Sequence, residues 1–182
     1  VQAESCTERD LRNEGSSALI PRGACTDLAF ISGGPSAVTL DRLFRGLASQ
    51  KYSKLQSLDF RRQQLDSKAI KSICAYMVSG SKAAPRVQML YLGGSSLRDP
   101  TVWRSVLGVV GDSSTLKVLG LENTGISTEQ AVELAASIQK NQHMELELID
   151  VSHNDRIGEV GVKALVNAVL TRSTRFSGRT TK

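Results

Sequence analysis

The chain has 182 residues, 40% of them hydrophobic, which is enough for one ordinary domain with a sizeable core. One Trp, three Tyr and four Phe make that core aliphatic, because too few large rings are present to build it. The net charge of +5 is modest and no apolar run approaches the roughly 20 residues that cross a bilayer, so composition points to neither a nucleic-acid domain nor a membrane span.

Val1 to Asp10 mixes acids, Cys and polar groups and lacks a signal-peptide pattern, and the missing initiator Met reads as a processed or cut start. Cys6, Cys25 and Cys74 are odd in number and have no CxxC spacing. They point away from a disulfide framework and towards a reducing, intracellular setting, the cytoplasm or an organelle matrix. At the other end, Arg172, Arg175, Arg179 and Lys182 fall within a basic tail, 171–182, that has no acid. Such a tail reads as a solvated or partner-wrapped end, and is the one place where nucleic acid could be engaged.

In chain order, one pattern recurs: an apolar residue, two variable ones, an apolar residue, one variable one, an apolar residue. Val1, Glu4 and Cys6 open it weakly, with Leu11 beyond, and the following Gly15-x-x-Ala18-Leu19 has the same form as Gly161-x-x-Ala164-Leu165, which suggests a helix over 13–19. Cys25, Leu28 and Phe30 come next. Leu55, Leu58 and Phe60 follow, then Leu65 and a helical stripe of Ala69, Ile70, Ile73, Cys74 and Met77. Val87, Leu90 and Leu92 lead to Leu97 and to Pro100, which suits a first helical position. Gly111 then reads as the left-handed cap of that helix. Leu116, Leu119 and Leu121 lead to Ile126, to the polar start Ser127-Thr128-Glu129, and to a stripe of Ala131, Leu134, Ala135 and Ile138. In the last unit, Leu146, Ile149 and Val151 precede Arg156-Ile157, a one-residue insertion, and a stripe of Val160, Ala164, Leu165, Ala168 and Val169. Measured between middle positions, the steps from Leu28 to Leu58, Leu90, Leu119 and Ile149 are 30, 32, 29 and 30 residues. Near-constant spacing of this kind marks a repeat.

The frame L-x-x-L-x-L-x-x-N-x-L followed by a helix resembles the leucine-rich-repeat family, and its long period is similar to the ribonuclease-inhibitor-like subclass. The resemblance implies an α/β solenoid, a horseshoe with short parallel strands on the concave face and helices on the convex face. The repeat domain covers 1–170 in five to six units, with 24–170 carrying the pattern. The family's Asn stands only at Asn154. Gly33, Gln63, Ser95 and Thr124 replace it elsewhere, and Gly33 has no side chain to bond with. The mean step near thirty also exceeds the roughly 20–29 residues usual for the family.

Alternation sends the residues between the anchors out of the sheet. These are Ser57, Asp59 and Arg61; Met89, Tyr91 and Gly93; Val118, Gly120 and Glu122; Leu148, Asp150 and Ser152. Met89, Val118 and Leu148 form an apolar stripe with Tyr91 beside it, on a face that water would otherwise wet, and such stripes mark partner sites. Asp59, Arg61, Glu122 and Asp150 mix both signs, which suits protein contacts better than a phosphate backbone. Asp59, Arg61, Met89, Tyr91, Val118, Glu122, Leu148 and Asp150 are therefore the expected protein-binding residues.

The expected function is a non-catalytic protein-binding scaffold. The alternatives are a structural subunit of a large assembly whose repeat ends neighbours cover, or a regulator of an enzyme such as a nuclease or small GTPase. No catalytic, metal or cofactor site is expected. Asp150, Ser152 and His153 have the residue types of a hydrolase triad, but alternation divides them between faces. His143 lies in a polar loop. The three cysteines fall at inward positions as small hydrophobes. Gly108-Val109-Val110-Gly111 lacks the Lys-Ser/Thr of a phosphate loop.

Overall fold

A computed structural model describes residues 4–14, 18–21, 25–31, 33–49, 55–78 and 87–177. In chain order the elements are β1 (Glu4–Thr7), a short 3-10 turn, β2 (Leu11–Glu14), β3 (Ala18–Pro21), β4 (Cys25–Ala29) and α1 (Ala37–Ser49). Then come β5 (Ser57–Asp59), α2 (Ser67–Val78), β6 (Met89–Tyr91), α3 (Pro100–Asp112), β7 (Val118–Gly120), α4 (Thr128–Lys140), β8 (Leu148–Asp150) and α5 (Glu159–Ser177). The chain is an α/β protein. Six strands form one parallel sheet in the order β1-β4-β5-β6-β7-β8, and a helix follows each of the last five. Parallel neighbours need a long crossover between them, and the thirty-residue step leaves room for one helix each time.

Register follows the spacing. Leu28 pairs with Leu58, Leu58 with Leu90, Leu90 with Leu119 and Leu119 with Ile149 across successive strands. The four leucines are buried and Ile149 packs partly buried against the same core, where Leu40, Ile70, Val106 and Leu134 meet them from the helices. Leu65, Leu97 and Ile126 are buried at the start of each crossover, and Ile157 takes that place one residue late while Arg156 stays exposed.

Local chemistry sets the helix ends. Asp99 accepts the N–H groups of Thr101 and Val102, with Pro100 in the first turn of α3. Ser127 and Gln130 cap α4 reciprocally. Gly111 is not the expected cap, because α3 runs on to Asp112 with no left-handed residue at its end. The following unit removes the need for one. Asn141 Nδ2 donates to Val110 O and Ser113 O at 2.7 Å each, satisfying carbonyls that a left-handed turn would otherwise serve.

The first unit departs from the sequence reading in three ways. Cys6, two residues beyond the expected Glu4, is level with Leu28. The helix expected over 13–19 is an antiparallel hairpin of β2 and β3, with residues 15–17 outside the described set. Only 22 residues separate Cys6 from Leu28, too few for a strand, two loops and a three-turn helix. Finally, Cys6 and Cys25 form a disulfide with Cα atoms 5.9 Å apart, against the expectation that they are thiols. They stand on neighbouring strands, where Cys25 is level with Glu4 and Cys6 with Leu28, and the register shifts between Glu4 and Ser5. Once they are bonded, reduced cysteines no longer argue for a reducing compartment. Cys74 stays a buried thiol, its pKa pushed up to about 12 by burial.

At the far end, Val160 is exposed and Gly161 takes the inward place against Ala131. Residues 171–177 of the basic tail continue α5, while Val1, Arg179 and Lys182 lie outside the described residues.

Candidate functional site

Three rows of side chains cross the sheet face that turns away from the helices. The first joins Asp27, Ser57, Met89, Val118 and Leu148 by direct strand pairing. Its apolar members are the expected stripe. Met89 and Val118 are half-buried, and Leu148 is 54% exposed. Ser57, expected on the open surface, is buried.

The second row joins Ala29, Asp59, Tyr91, Gly120 and Asp150. Gly120 is buried as well, because the Tyr91 ring lies against it: a Cβ there would stand 2.6 Å from Tyr91 Cδ1. The missing side chain lets the ring lie across the sheet. Tyr91 Oη reaches Met89 Sδ at 3.9 Å, tying the ring to the apolar stripe.

The third row, where the strands end, runs through Arg61, Gly93, Glu122 and Ser152. The N–H groups of Arg62, Gly94 and Asn123 bond to Gly93 O, Glu122 O and Ser152 O in turn, which continues the ladder. Gly93 is buried beneath the Glu122 carboxylate, whose Cδ would lie 2.2 Å from a Cβ at that position. Arg61 clasps Asp59 through Nε, at 3.0 and 2.9 Å from the two carboxylate oxygens. Its guanidinium also lies 4.7 Å from the Tyr91 ring centroid. That bond to Asp59 holds Arg61 charged more firmly than usual. Glu122 Oε2 is buried and lacks a hydrogen-bond partner among the described residues. Asp150 is held below the usual carboxylate range by the Ser152 hydroxyl and then by the Ser152 N–H at 2.9 Å. Ser152 thus serves Asp150, and His143 is exposed in its loop.

Beside the third row the strand ends open into a depression of about 810 Å³, lined among others by Phe30, Ile31, Arg61, Gln63, Glu122 and His153. Arg62, Gly94, Asn123 and His153 all have positive φ, 65°, 84°, 52° and 57°. Each stands four residues beyond its middle anchor, so the same left-handed turn recurs and sends the chain away from the sheet to its helix. Arg62, Asn123 and His153 line the depression but are absent from the expected site residues. Their shared offset from Leu58, Leu119 and Ile149 is the signal that would have found them.

Under these turns runs a buried polar column, Gln63, Ser95, Thr124 and Asn154, one from each of four successive units. Asn154 Oδ1 accepts the N–H groups of Thr124, Gly125 and Ile126 at 3.0, 2.8 and 3.3 Å. Its Nδ2 donates to Leu121 O, Val151 O and Ser152 O at 2.8, 2.9 and 3.2 Å. Ser95 Oγ takes the N–H of Leu65, and Thr124 Oγ1 donates to Leu121 O. The column pins the turns, and the turns place the third row.

Among the described residues, no group of His, Cys, Asp or Glu is arranged to hold a metal ion. Nor is any helix long and apolar enough to cross a membrane. No protein-family model matches the chain, and no characterised protein matches it significantly in sequence.

Proposed function

We propose that the chain is a leucine-rich-repeat array that acts as a non-catalytic protein-binding scaffold through the sheet face away from its helices, the concave face of such an array. Support for the repeat reading comes from the sequential strand order, the constant register and the Asn154 bonds. The observation that carries the binding reading is the apolar row Met89, Val118 and Leu148, flanked by Asp59 and Asp150 of the second row and Arg61 and Glu122 of the third. Water wets an apolar stripe at a cost that a partner's apolar surface removes. The mixed charges of Asp59, Arg61 and Asp150 add polar groups that orient that partner.

The test is affinity purification from source cells with the wild-type chain and with Met89→Lys and Val118→Glu, each checked for folding by circular dichroism. Proteins recovered by the wild type and lost by both folded variants support the reading; full recovery by both overturns it. A second reading, a subunit whose repeat ends are covered by neighbours, draws on the apolar surface exposed at β8 and α5.

A further inference from the structure

The sheet face that turns away from the helices carries a charge opposite to that of the chain. Its three rows hold four carboxylates, Asp27, Asp59, Glu122 and Asp150, against one guanidinium, Arg61. The face is thus at −3 on a chain whose total is +5, so all other residues together carry +8. Just before the first row, Lys117 and Glu147 bond at 2.9 Å and cancel. Arg62 stands on the turn beyond the third row, and counting it leaves the face still negative.

The bonds these half-buried acids make do not remove that charge. Asp59 alone meets a cation, the clasping Arg61. Asp27 accepts the Thr26 hydroxyl at 2.7 Å, and Asp150 accepts the Ser152 N–H at 2.9 Å. Both donors are neutral, so neither bond cancels a charge. Asp27, Glu122 and Asp150 have no ion-pair partner among the described residues. The acids also bracket the apolar part of the face. Asp27 and Asp59 stand on β4 and β5, Glu122 just past β7 and Asp150 on β8. Between them lie Met89, Tyr91 and Val118, with the buried Gly120 under the ring. Asp27 and Asp150 are four strands apart, about 19 Å at ordinary strand spacing, which an extended peptide covers in about six residues.

We infer that the occupant of this face is a basic segment of a partner protein, with an apolar side chain seated on Met89, Tyr91 and Val118 and a Lys or Arg reaching the carboxylates on either side. The inference rests on the sheet-face reading above and adds the partner's charge to it. A cationic segment approaching this protein is repelled by the positive remainder of the chain and drawn to this face alone. Such a field steers the encounter and fixes the orientation of the bound segment. An acidic segment meets the reverse, attraction everywhere except here. The same field turns a phosphate backbone away from the face.

The probe is a synthetic Gly-Ser peptide with a leucine midway between two lysines about six residues apart, and a second peptide replaces the lysines with glutamates. NMR follows the amide shifts of Met89, Val118 and Asp150 in the 182-residue chain as each peptide is added. The expected result is a saturable shift with the lysine peptide, at a dissociation constant of about 1 mM, and none with the glutamate peptide. Asp27→Asn and Asp150→Asn should each weaken binding about threefold, the scale of an exposed ion pair. Asn keeps an oxygen for the Thr26 and Ser152 donors, and circular dichroism checks that both variants fold. Should either unfold, the two peptides on the wild type decide. Glu159→Gln changes the net charge equally but lies on α5, and it should leave binding unchanged. Equal binding of both peptides overturns the basic partner and leaves the sheet-face reading standing. So do folded Asp27 and Asp150 variants that bind like the wild type, or an equal loss in Glu159→Gln. A lysine peptide that moves none of these amides also overturns it, and the Met89→Lys purification then judges the wider reading separately.

Discussion

Asn154→Ala removes six hydrogen bonds to backbone groups and one from the Thr124 hydroxyl, and the six are not equally exposed to replacement by water. Those to Thr124 N–H, Ile126 N–H and Leu121 O are fully buried, and those to Gly125, Val151 and Ser152 are partly open. Water can take over the open ones, so the three buried bonds set the cost. At about 1 kcal/mol each, the expected loss is roughly 3 kcal/mol. Ser95→Ala is the internal comparison, because Ser95 Oγ accepts one buried bond from the Leu65 N–H and its loss is expected to cost about 1 kcal/mol. Urea unfolding followed by circular dichroism measures both, and an unchanged slope confirms that the same surface unfolds. An Asn154→Ala loss no larger than that of Ser95→Ala would refute the reasoning, because a side chain joining two turns would then matter no more than one hydroxyl.

Leu119 is wholly buried and level with Leu90 and Ile149, so Leu119→Ala is expected to cost about 2–5 kcal/mol in the same assay, while Leu148→Ala, largely exposed, leaves stability nearly unchanged. Asp150 titrates below the ordinary Asp value because the Ser152 hydroxyl and N–H favour its carboxylate. A depressed folded value means that its contribution is present above the unfolded value and fades as pH falls through the folded one. In an NMR titration, Ser152→Ala should move the Asp150 midpoint upward, and an unmoved midpoint would show that the hydroxyl is not responsible.

Where spacing was regular, the sequence was enough to read the alternation of strands and helices and the strand register. Counting between Leu28, Leu58, Leu90, Leu119 and Ile149 yields the strand register directly, because a parallel ladder tolerates no slip without turning every side chain over. Reading failed where the interval shortened. Between Cys6 and Leu28 a hairpin replaces the helix, and Glu4 is a false anchor that the frame admitted only because Cys6 follows it. The disulfide was hidden for the same reason, since it joins β1 to β4 where the register shifts between Glu4 and Ser5, which no counting could reveal. On the sheet face, alternation identified the rows but not their depth. Gly93 and Gly120 are buried because Glu122 and Tyr91 fold over them, and which neighbour leans into the space of a missing side chain is a matter of tertiary packing. The recurring left-handed turns passed unnoticed because Arg62, Asn123 and His153 share a backbone conformation and no side-chain chemistry.

The buried bonds between units have a direction. Asn154 reaches back to the turn after β7, Asn141 to the end of α3, and Ser95 to the N–H of Leu65, each serving the unit before its own. Shortening the protein from its two ends is therefore not equivalent. Trimming from the front discards units whose loss uncovers apolar surface but leaves later turns with their own latches. Trimming from the back also strips the latch from the unit left behind, so fraying that begins at the rear can pass forward one unit at a time.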